Sequence, residues 1–271
     1  MGRRTARFPE AVIDLAFDPD LVLGPFRTTW HSLFGVLAIL AGSALGIRLI
    51  GARVRFADRY AVALAAVFGG LVMSRVFHVV DAWAVLYAHD PLSVLAVWNG
   101  GASITGGIVG GVIAPLFVTR SRHLPAAVIF DRGMVGVPLG MAIGRIGDLV
   151  NGEHWARACN GVAWCVRYTN PNSPGQREYV HPAVAYELLG DLLILATLFA
   201  LLRWADRQRR HPQLPFVFLG LYGAARLALG AYRLDPLFAF GLSQAELVSI
   251  AFIAISVGAL VWMRRPQRGL P

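Results

Sequence analysis

Residues Trp30–Ile50 read WHSLFGVLAILAGSALGIRLI, and in that whole stretch Arg48 is the single formal charge. A helix rises about 1.5 Å per residue, so roughly 20 such residues cross the ~30 Å hydrocarbon core of a bilayer. Similar apolar runs follow near Tyr60–Val80, Ile104–Thr119, Val128–Gly147, Pro182–Leu202, Leu214–Ala231 and Ser243–Trp262. The third is short and rich in glycine. Lipid-exposed backbone must satisfy its own hydrogen bonds, so these runs predict helices. The expected fold is all-α: a polytopic helical membrane protein of about seven transmembrane helices.

Composition agrees. Apolar residues make up 56% of the 271 and charged residues 15%, with a mean hydropathy of +0.56. A soluble domain is nearer a quarter charged, so this chain lacks the polar surface to face water on all sides. The net charge of +9 is carried by arginine alone, since the chain has no lysine. These arginines gather at the ends of apolar runs, a pattern of orientation and anionic headgroups that excludes a nucleic-acid-binding face. Arg3, Arg4 and Arg7 precede no apolar run, and Glu10, Asp14, Asp18 and Asp20 interrupt the place where a signal peptide would need one. Cys159 and Cys165 are too few for a disulfide framework and lack metal-ligand spacing, so neither a metal nor a cofactor is expected. Whether they form one disulfide or are small packed residues stays open.

The arginines also orient the bundle. Arg53, Arg55 and Arg59 follow the first run, Arg120 and Arg122 the third, Arg203, Arg207, Arg209 and Arg210 the fifth, and Arg264, Arg265 and Arg268 the seventh. The connection 81–100 has none, and the one after the sixth run has Arg233 beside Asp235. Positive charge marks the cytoplasmic side, which predicts the N-terminus outside and the C-terminus inside. The longest connection, about 151–180, then lies on the outer side as a small lid or head. No repeat, low-complexity segment or boundary divides the chain, so residues 1–271 are expected to form one integral membrane domain.

Charges inside spans are costly unless they face a partner or a wet cavity, so each marks a candidate functional site. Here they are Arg75, Asp131, Arg132, Arg145, Asp148, Glu187, Asp191, Arg226 and Arg233. Taken singly, Arg75 and Arg233 read as snorkelling anchors, Asp191 as a bond to a neighbouring helix, and Asp131–Arg132 as a structural ion pair. The cluster Arg145, Asp148 and Glu153 reads as functional, because Gly144 and Gly147 beside it let a ligand or a second backbone approach closely. The arginine fork pairs bidentately with phosphate and keeps its charge, so arginines beside carboxylates at headgroup level suit a phospholipid-using site.

Residues 144–153, GRIGDLVNGE, resemble the signature of prolipoprotein diacylglyceryl transferases, G-R-x-G-N-F-x-N-G-E-x-x-G. Further likenesses follow in family order: Leu23-Gly-Pro-Phe before Trp30, Ser74–Trp83, Trp98–Gly111, the HPAVAYE of His181–Glu187, Tyr222–Arg233 and Leu242–Ser249. Together they span about residues 20–262. The resemblance implies transfer of the diacylglyceryl group of phosphatidylglycerol to the lipobox cysteine thiol of a prolipoprotein signal peptide. It also implies a multi-pass location in the bacterial cytoplasmic (inner) membrane, with membrane lipids as neighbours and no nucleic acid. Arg145 and Arg233 would hold phosphate charge, and Glu153 would organise the arginines. Asn151, Asp148, His181, Tyr186 and Glu187 would line the substrate cavity, while Arg75 and Arg226 would meet headgroup or peptide.

The chain departs from the family pattern at five positions. Asp148 stands where the signature has Asn and Ala156 where it ends in Gly. His31 follows Trp30 in place of a tyrosine. Thr105 replaces a histidine of the glycine-rich segment, and Gly230 replaces a glutamate. Either His31 serves as general base in an active transferase, or the chain is a divergent non-catalytic homologue that binds phospholipid and signal peptide. An anionic-lipid transporter is a third reading. Such a protein would usually carry an internal repeat with paired broken helices.

Overall fold

The computed structural model describes residues 12–96, 101–159, 162 and 164–264. Trp98–Gly100, Arg3, Arg4, Arg7, Glu10, Arg265 and Arg268 lie outside the described residues, as do the side chains of Thr105 and Arg264. Short strands β1 (Val12–Leu15), β2 (Asp20–Leu23) and β3 (Phe26–Thr29) lead into helix α1 (Trp30–Ile50). Helices α2 (Phe56–Asp81), α3 (Ile104–Ser121), α4 (Ala126–Met134) and α5 (Gly136–Asn151) follow. After strand β4 (Cys165–Tyr168) come α6 (Ala183–Gln208), α7 (Leu214–Gly230), strands β5 (Leu237–Ala239) and β6 (Leu242–Ser243), and α8 (Gln244–Arg264).

Five helical segments are long and apolar enough to cross a membrane: Trp30–Arg53, Phe56–Asp81, Ala126–Asn151, Ala183–Gln208 and Gln244–Met263. Two shorter apolar helices cover Gly106–Ser121 and Leu214–Gly230. Large apolar side chains such as Leu40, Phe68, Val72 and Leu193 point outward, which only a hydrocarbon surround tolerates in such number. The chain is a polytopic helical membrane protein. The fourth apolar run is longer than the sequence suggests and is divided at Val135. Pro138 has no N–H to offer the carbonyl four residues back, so the helix loosens there and resumes.

The sequence shows no internal boundary, yet the packing resolves two compact units, one of Ser43–Gly133 and one of the chain on either side of it. In the first, α2 and α3 meet backbone to backbone. A Cβ at Gly106 or Gly110 would collide with the carbonyl oxygens of Met73 or Gly69, so glycine is what permits the contact. Ile50, Val54, Val62 and Ile129 form its buried cluster. The Arg132 guanidinium donates to the Leu49 carbonyl at 3.1 Å, consistent with a structural role for this buried residue.

In the other unit, the described residues of 152–180 form a small folded cap. Strand β4 pairs in parallel with β1, Asp14 opposite Arg167, and that pair is bidentate at 3.0 and 2.8 Å. The Arg167 hydrogen bond holds the Asp14 carboxyl below the usual carboxylate range. The Arg177 guanidinium clamps the following turn through the carbonyls of Tyr168 and Ser173. Ala156, Val166, Val180 and Ala183 form the cap's core, with Leu15 packed against it. Cys159 and Cys165 are joined as a disulfide. The cap is also tied to the α7–α8 connection: Arg157 N–H donates to Tyr232, and Leu234 N–H to Trp155.

Candidate active site

Four helix ends meet beneath the cap: the start of α1, the end of α5, the start of α6 and the end of α7. Glu187 lies one turn into α6 and Arg226 one turn from the end of α7. At about 1.5 Å per residue they sit roughly 6 Å inside the helix ends.

Glu187 is the centre of the arrangement and is buried. Its Oε2 is 3.1 Å from Arg145 Nη1, and its Oε1 is 3.1 Å from Arg233 Nη1 and 3.9 Å from Arg226 Nη1. Three arginines distant in sequence are therefore gathered on one carboxylate. Asp235 joins two of them again, with Oδ2 2.5 Å from Arg226 Nη2 and Oδ1 3.1 Å from Arg233 Nε. Burial pushes the Asp235 carboxyl up, but the Arg226 hydrogen bond and the charges of both arginines outweigh it and hold it below the ordinary range. Arg226 Nη1 is buried with no hydrogen-bond partner, which leaves one strong donor unsatisfied. Asp191, one turn beyond Glu187, lies 3.9 Å from Arg145 Nε.

A second cluster adjoins the first through Asp148. Its Oδ2 is 3.0 Å from Arg145 Nη1 and 3.5 Å from His154 Nε2, while its Oδ1 is 2.8 Å from His31 Nδ1. His31 Nδ1 is also 3.5 Å from Glu153 Oε1. Asn151 accepts the His31 backbone N–H through Oδ1 at 3.3 Å and donates to Glu153 from Nδ2 at 3.2 Å. The chain reverses here at Gly152, whose φ of +81° is a left-handed conformation. A side chain at Gly152 would also strike Gly175 and Ser173, so glycine alone fits. One ligand atom each of His31, Asp148 and Glu153 lies within 4.8 Å of the others, a spacing open to a cation. The guanidinium of Arg145 already supplies the opposing charge.

The wall beside the clusters is aromatic. Trp164 Nε1 donates to the Tyr186 hydroxyl at 2.7 Å, and His181 Nδ1 is 3.3 Å from the same oxygen. Tyr232 packs 4.9 Å from the His181 ring and 5.4 Å from the Tyr186 ring, centroid to centroid. Tyr168, buried within the cap, donates to the Leu149 carbonyl, and burial pushes its phenol up to about 12.

Arg145, Asp148, Asn151, Glu153, His31, Glu187, Arg226 and Arg233 are thus brought together, with His181 and Tyr186 alongside. One expectation changes. Glu153 is expected to organise the arginines, but it follows the reversal at Gly152 and turns toward Asn151 and His31. The carboxylate inside α6, Glu187, does that work instead. Arg75 lies in the unit of Ser43–Gly133, where its guanidinium donates to the carbonyls of Val94, Ala96 and Gly101 at 3.0–3.3 Å. It clamps the connection between α2 and α3. Asp235 and His154 are site members that the sequence does not single out. Asp235 is signalled only by its place two residues after Arg233, and His154 only by following the signature directly.

Arginines are thus held on carboxylates under a cap beside aromatic rings, and the sequence that builds this arrangement matches a known family. The model of the prolipoprotein diacylglyceryl transferase family matches residues 20–262. The phosphatidylglycerol–prolipoprotein diacylglyceryl transferase of Synechococcus elongatus is 34% identical over 263 residues, 93% of this chain and 90% of that one. Those of Nostoc sp. and Dehalococcoides mccartyi are 31% and 32% identical, over 97% and 91% of this chain and 95% and 93% of theirs. With its signature arginine, Arg145, seated in the cluster and the match running through nearly the whole chain, this protein belongs to the prolipoprotein diacylglyceryl transferase family.

Proposed function

We propose that this protein transfers the diacylglyceryl group of phosphatidylglycerol to the thiol of a lipobox cysteine in a prolipoprotein signal peptide, at the outer face of the bacterial cytoplasmic membrane. The observation that carries this reading is the gathering of Arg145, Arg226 and Arg233 on Glu187. In the reaction the thiolate sulfur bonds to the glycerol carbon, and the carbon–oxygen bond to phosphate breaks. Glycerol phosphate leaves with the electron pair. Fixed guanidinium donors stabilise the charge that grows on that phosphate, and they need no reorganisation as it forms. Arg226 Nη1, buried and without a hydrogen-bond partner, is the donor most in need of a phosphate oxygen. Arg145 and Arg233 hold the rest of the charge, His31 accepts a proton, and the aromatic wall of His181 and Tyr186 flanks the incoming peptide.

Parity supports seven spans. Strand β1 pairs with β4, so their two segments share one side of the membrane and an even number of crossings separates them. Three long spans lie between, and α3 supplies the fourth. The cap is likewise bonded to the α7–α8 connection, so α6 needs α7 as its partner crossing. The disulfide of the cap belongs to an oxidising compartment, which supports the outer assignment of that side and, with the arginine-rich opposite ends, an N-out and C-in chain.

One observation favours a binding-only homologue: the carboxylates of Asp148, Glu187 and Asp235 already balance the three arginines. The test is reconstitution with phosphatidylglycerol and a lipobox peptide, with mass spectrometry for a diacylglyceryl adduct on the cysteine. An adduct with the wild type and none with Arg145→Ala supports the transferase. Lipid and peptide binding without an adduct establishes the binding-only homologue.

A further inference from the structure

We infer that Asp148 is a positioning residue that turns His31 into the proton acceptor for the substrate thiol, with the imidazole Nε2 as the accepting atom. The inference rests on the transferase reading and adds the device by which the thiol is ionised.

Both carboxylates near His31 face the same ring nitrogen. Asp148 Oδ1 is 2.8 Å from Nδ1, and Glu153 Oε1 is 3.5 Å from it. Two negative groups on Nδ1 keep the proton there, so in the neutral ring Nε2 carries the lone pair. The burial is graded in the same sense. The Asp148 side chain is 9% exposed and that of His31 is 48% exposed, so the orienting group is covered and the ring reaches the open side. Backbone contacts set the pair's separation. A Cβ at Gly147 would lie 2.9 Å from His31 Cα, so α1 and α5 touch where the two side chains meet. Asn151 holds the His31 backbone N–H. The remaining oxygen of Asp148 is taken by Arg145 at 3.0 Å, which stops the carboxylate from rotating away.

The roles follow the order of a nucleophile–histidine–aspartate triad in which the nucleophile arrives with the substrate. The S–H proton passes to His31 Nε2, and the sulfur lone pair forms the new bond to the glycerol carbon. The carbon–oxygen pair leaves with phosphate, and the exposed edge of His31 returns the proton to water. No oxidant or metal enters the balance. Asp148 never contacts the substrate and acts through the ring.

The test uses the full-length protein in phosphatidylglycerol vesicles with a lipobox peptide, and follows thioether formation between pH 6 and 9.5. The charged groups in contact with His31 are Asp148 from α5 and Glu153 from the segment after it, and Arg145 and His154 bear on it through Asp148. Asp148→Asn and His31→Gln are each expected to lower kcat about 10²–10⁴-fold, the usual worth of general-base catalysis, with KM for phosphatidylglycerol little changed. Both deficits are expected to narrow as pH rises through the ordinary thiol value of about 8.5, because the substrate then ionises unaided. Added imidazole is expected to restore part of the activity of His31→Ala. Thermal midpoints of the variants exclude unfolding as the cause. Deficits that stay constant with pH, or rescue of His154→Ala but not of His31→Ala, overturn the pair. So does stoichiometric metal in active protein whose removal abolishes turnover. A wild type that makes no thioether refutes the transferase reading instead.

Discussion

Glu187 and Asp191 are one helical turn apart on α6, both buried, and their neutralisation is expected to have opposite consequences. Glu187 has arginine nitrogens at 3.1, 3.1 and 3.9 Å. At an effective dielectric constant of about 20, these contacts are worth roughly 5, 5 and 4 kcal/mol before desolvation. Desolvation cancels most of that, and the measured cost of removing one partner from a buried ionic group is about 3–5 kcal/mol. Asp191 has one arginine nitrogen, at 3.9 Å, against three for Glu187. Neutralising it removes a desolvation penalty about as large as the attraction it loses. Glu187→Gln is therefore expected to lower the thermal midpoint of the detergent-solubilised protein by about 10 °C, and Asp191→Asn to move it by less than about 3 °C. Thermal unfolding followed by tryptophan fluorescence, with thioether formation alongside, measures both. Equal shifts in the two variants, or an undisturbed Glu187→Gln, would refute Glu187 as the residue that holds the three arginines.

Three further outcomes follow from the geometry. Gly110→Ala is expected to cost about 1–3 kcal/mol, since its Cβ overlaps the Gly69 carbonyl. Gly111→Ala meets its nearest neighbour, the Ala66 carbonyl, at 3.8 Å and is expected to be tolerated, so thermal midpoints of the two variants decide whether α2 and α3 truly touch. Replacing Cys159 and Cys165 by serine opens a short closed loop, with a sequence separation of 6. The loss of about 2 kcal/mol of constraint is expected to speed protease cleavage within the cap, and unchanged cleavage would count against the disulfide as the cap's brace. Asp235 has a folded carboxyl below its unfolded value, so its contribution is present above about pH 4 and is lost as pH falls through the lower folded value. Between pH 6 and 3 the midpoint of Asp235→Asn is expected to fall less steeply than that of the wild type, and parallel curves would show that the Arg226 and Arg233 contacts do not stabilise the fold.

The helices were legible because a bilayer reads length and hydropathy, and both are one-dimensional. Arg145 was legible because a charge between glycines in an apolar run has few purposes. The organising carboxylate was not. Glu153 and Glu187 both follow recognisable motifs, and only the left-handed turn at Gly152 sends one toward Asn151 while α6 sends the other among the arginines. Asp235 lies beside Arg233 in sequence and reads there as a simple charge balance, while its second partner, Arg226, is on the preceding helix. His154 stayed hidden because it meets Asp148 across the chain reversal at Gly152.

The departures from the family pattern look like losses when read one letter at a time, and the structure joins three of them, Asp148, His31 and Gly230, to compensations. Asp148 exchanges an amide donor for a carboxylate, and its partner at 2.8 Å is the histidine that stands in for a tyrosine. An asparagine there presents no charge to an imidazole, and a tyrosine at position 31 has no ring nitrogen for a carboxylate to orient. Each change has a use only in the presence of the other. Gly230 omits a glutamate, yet Glu246 from α8 comes within 3.9 Å of where a side chain at Gly230 would begin. Its other carboxylate oxygen is held by the N–H and hydroxyl of Ser243. A negative group is therefore kept beside Arg226 from a different helix. Charge lost by drift would leave an arginine bare or a carboxylate stranded in the membrane, at several kcal/mol each. Here a new partner accompanies both exchanges, which is the pattern expected of a site under continued demand for chemistry rather than one released from it.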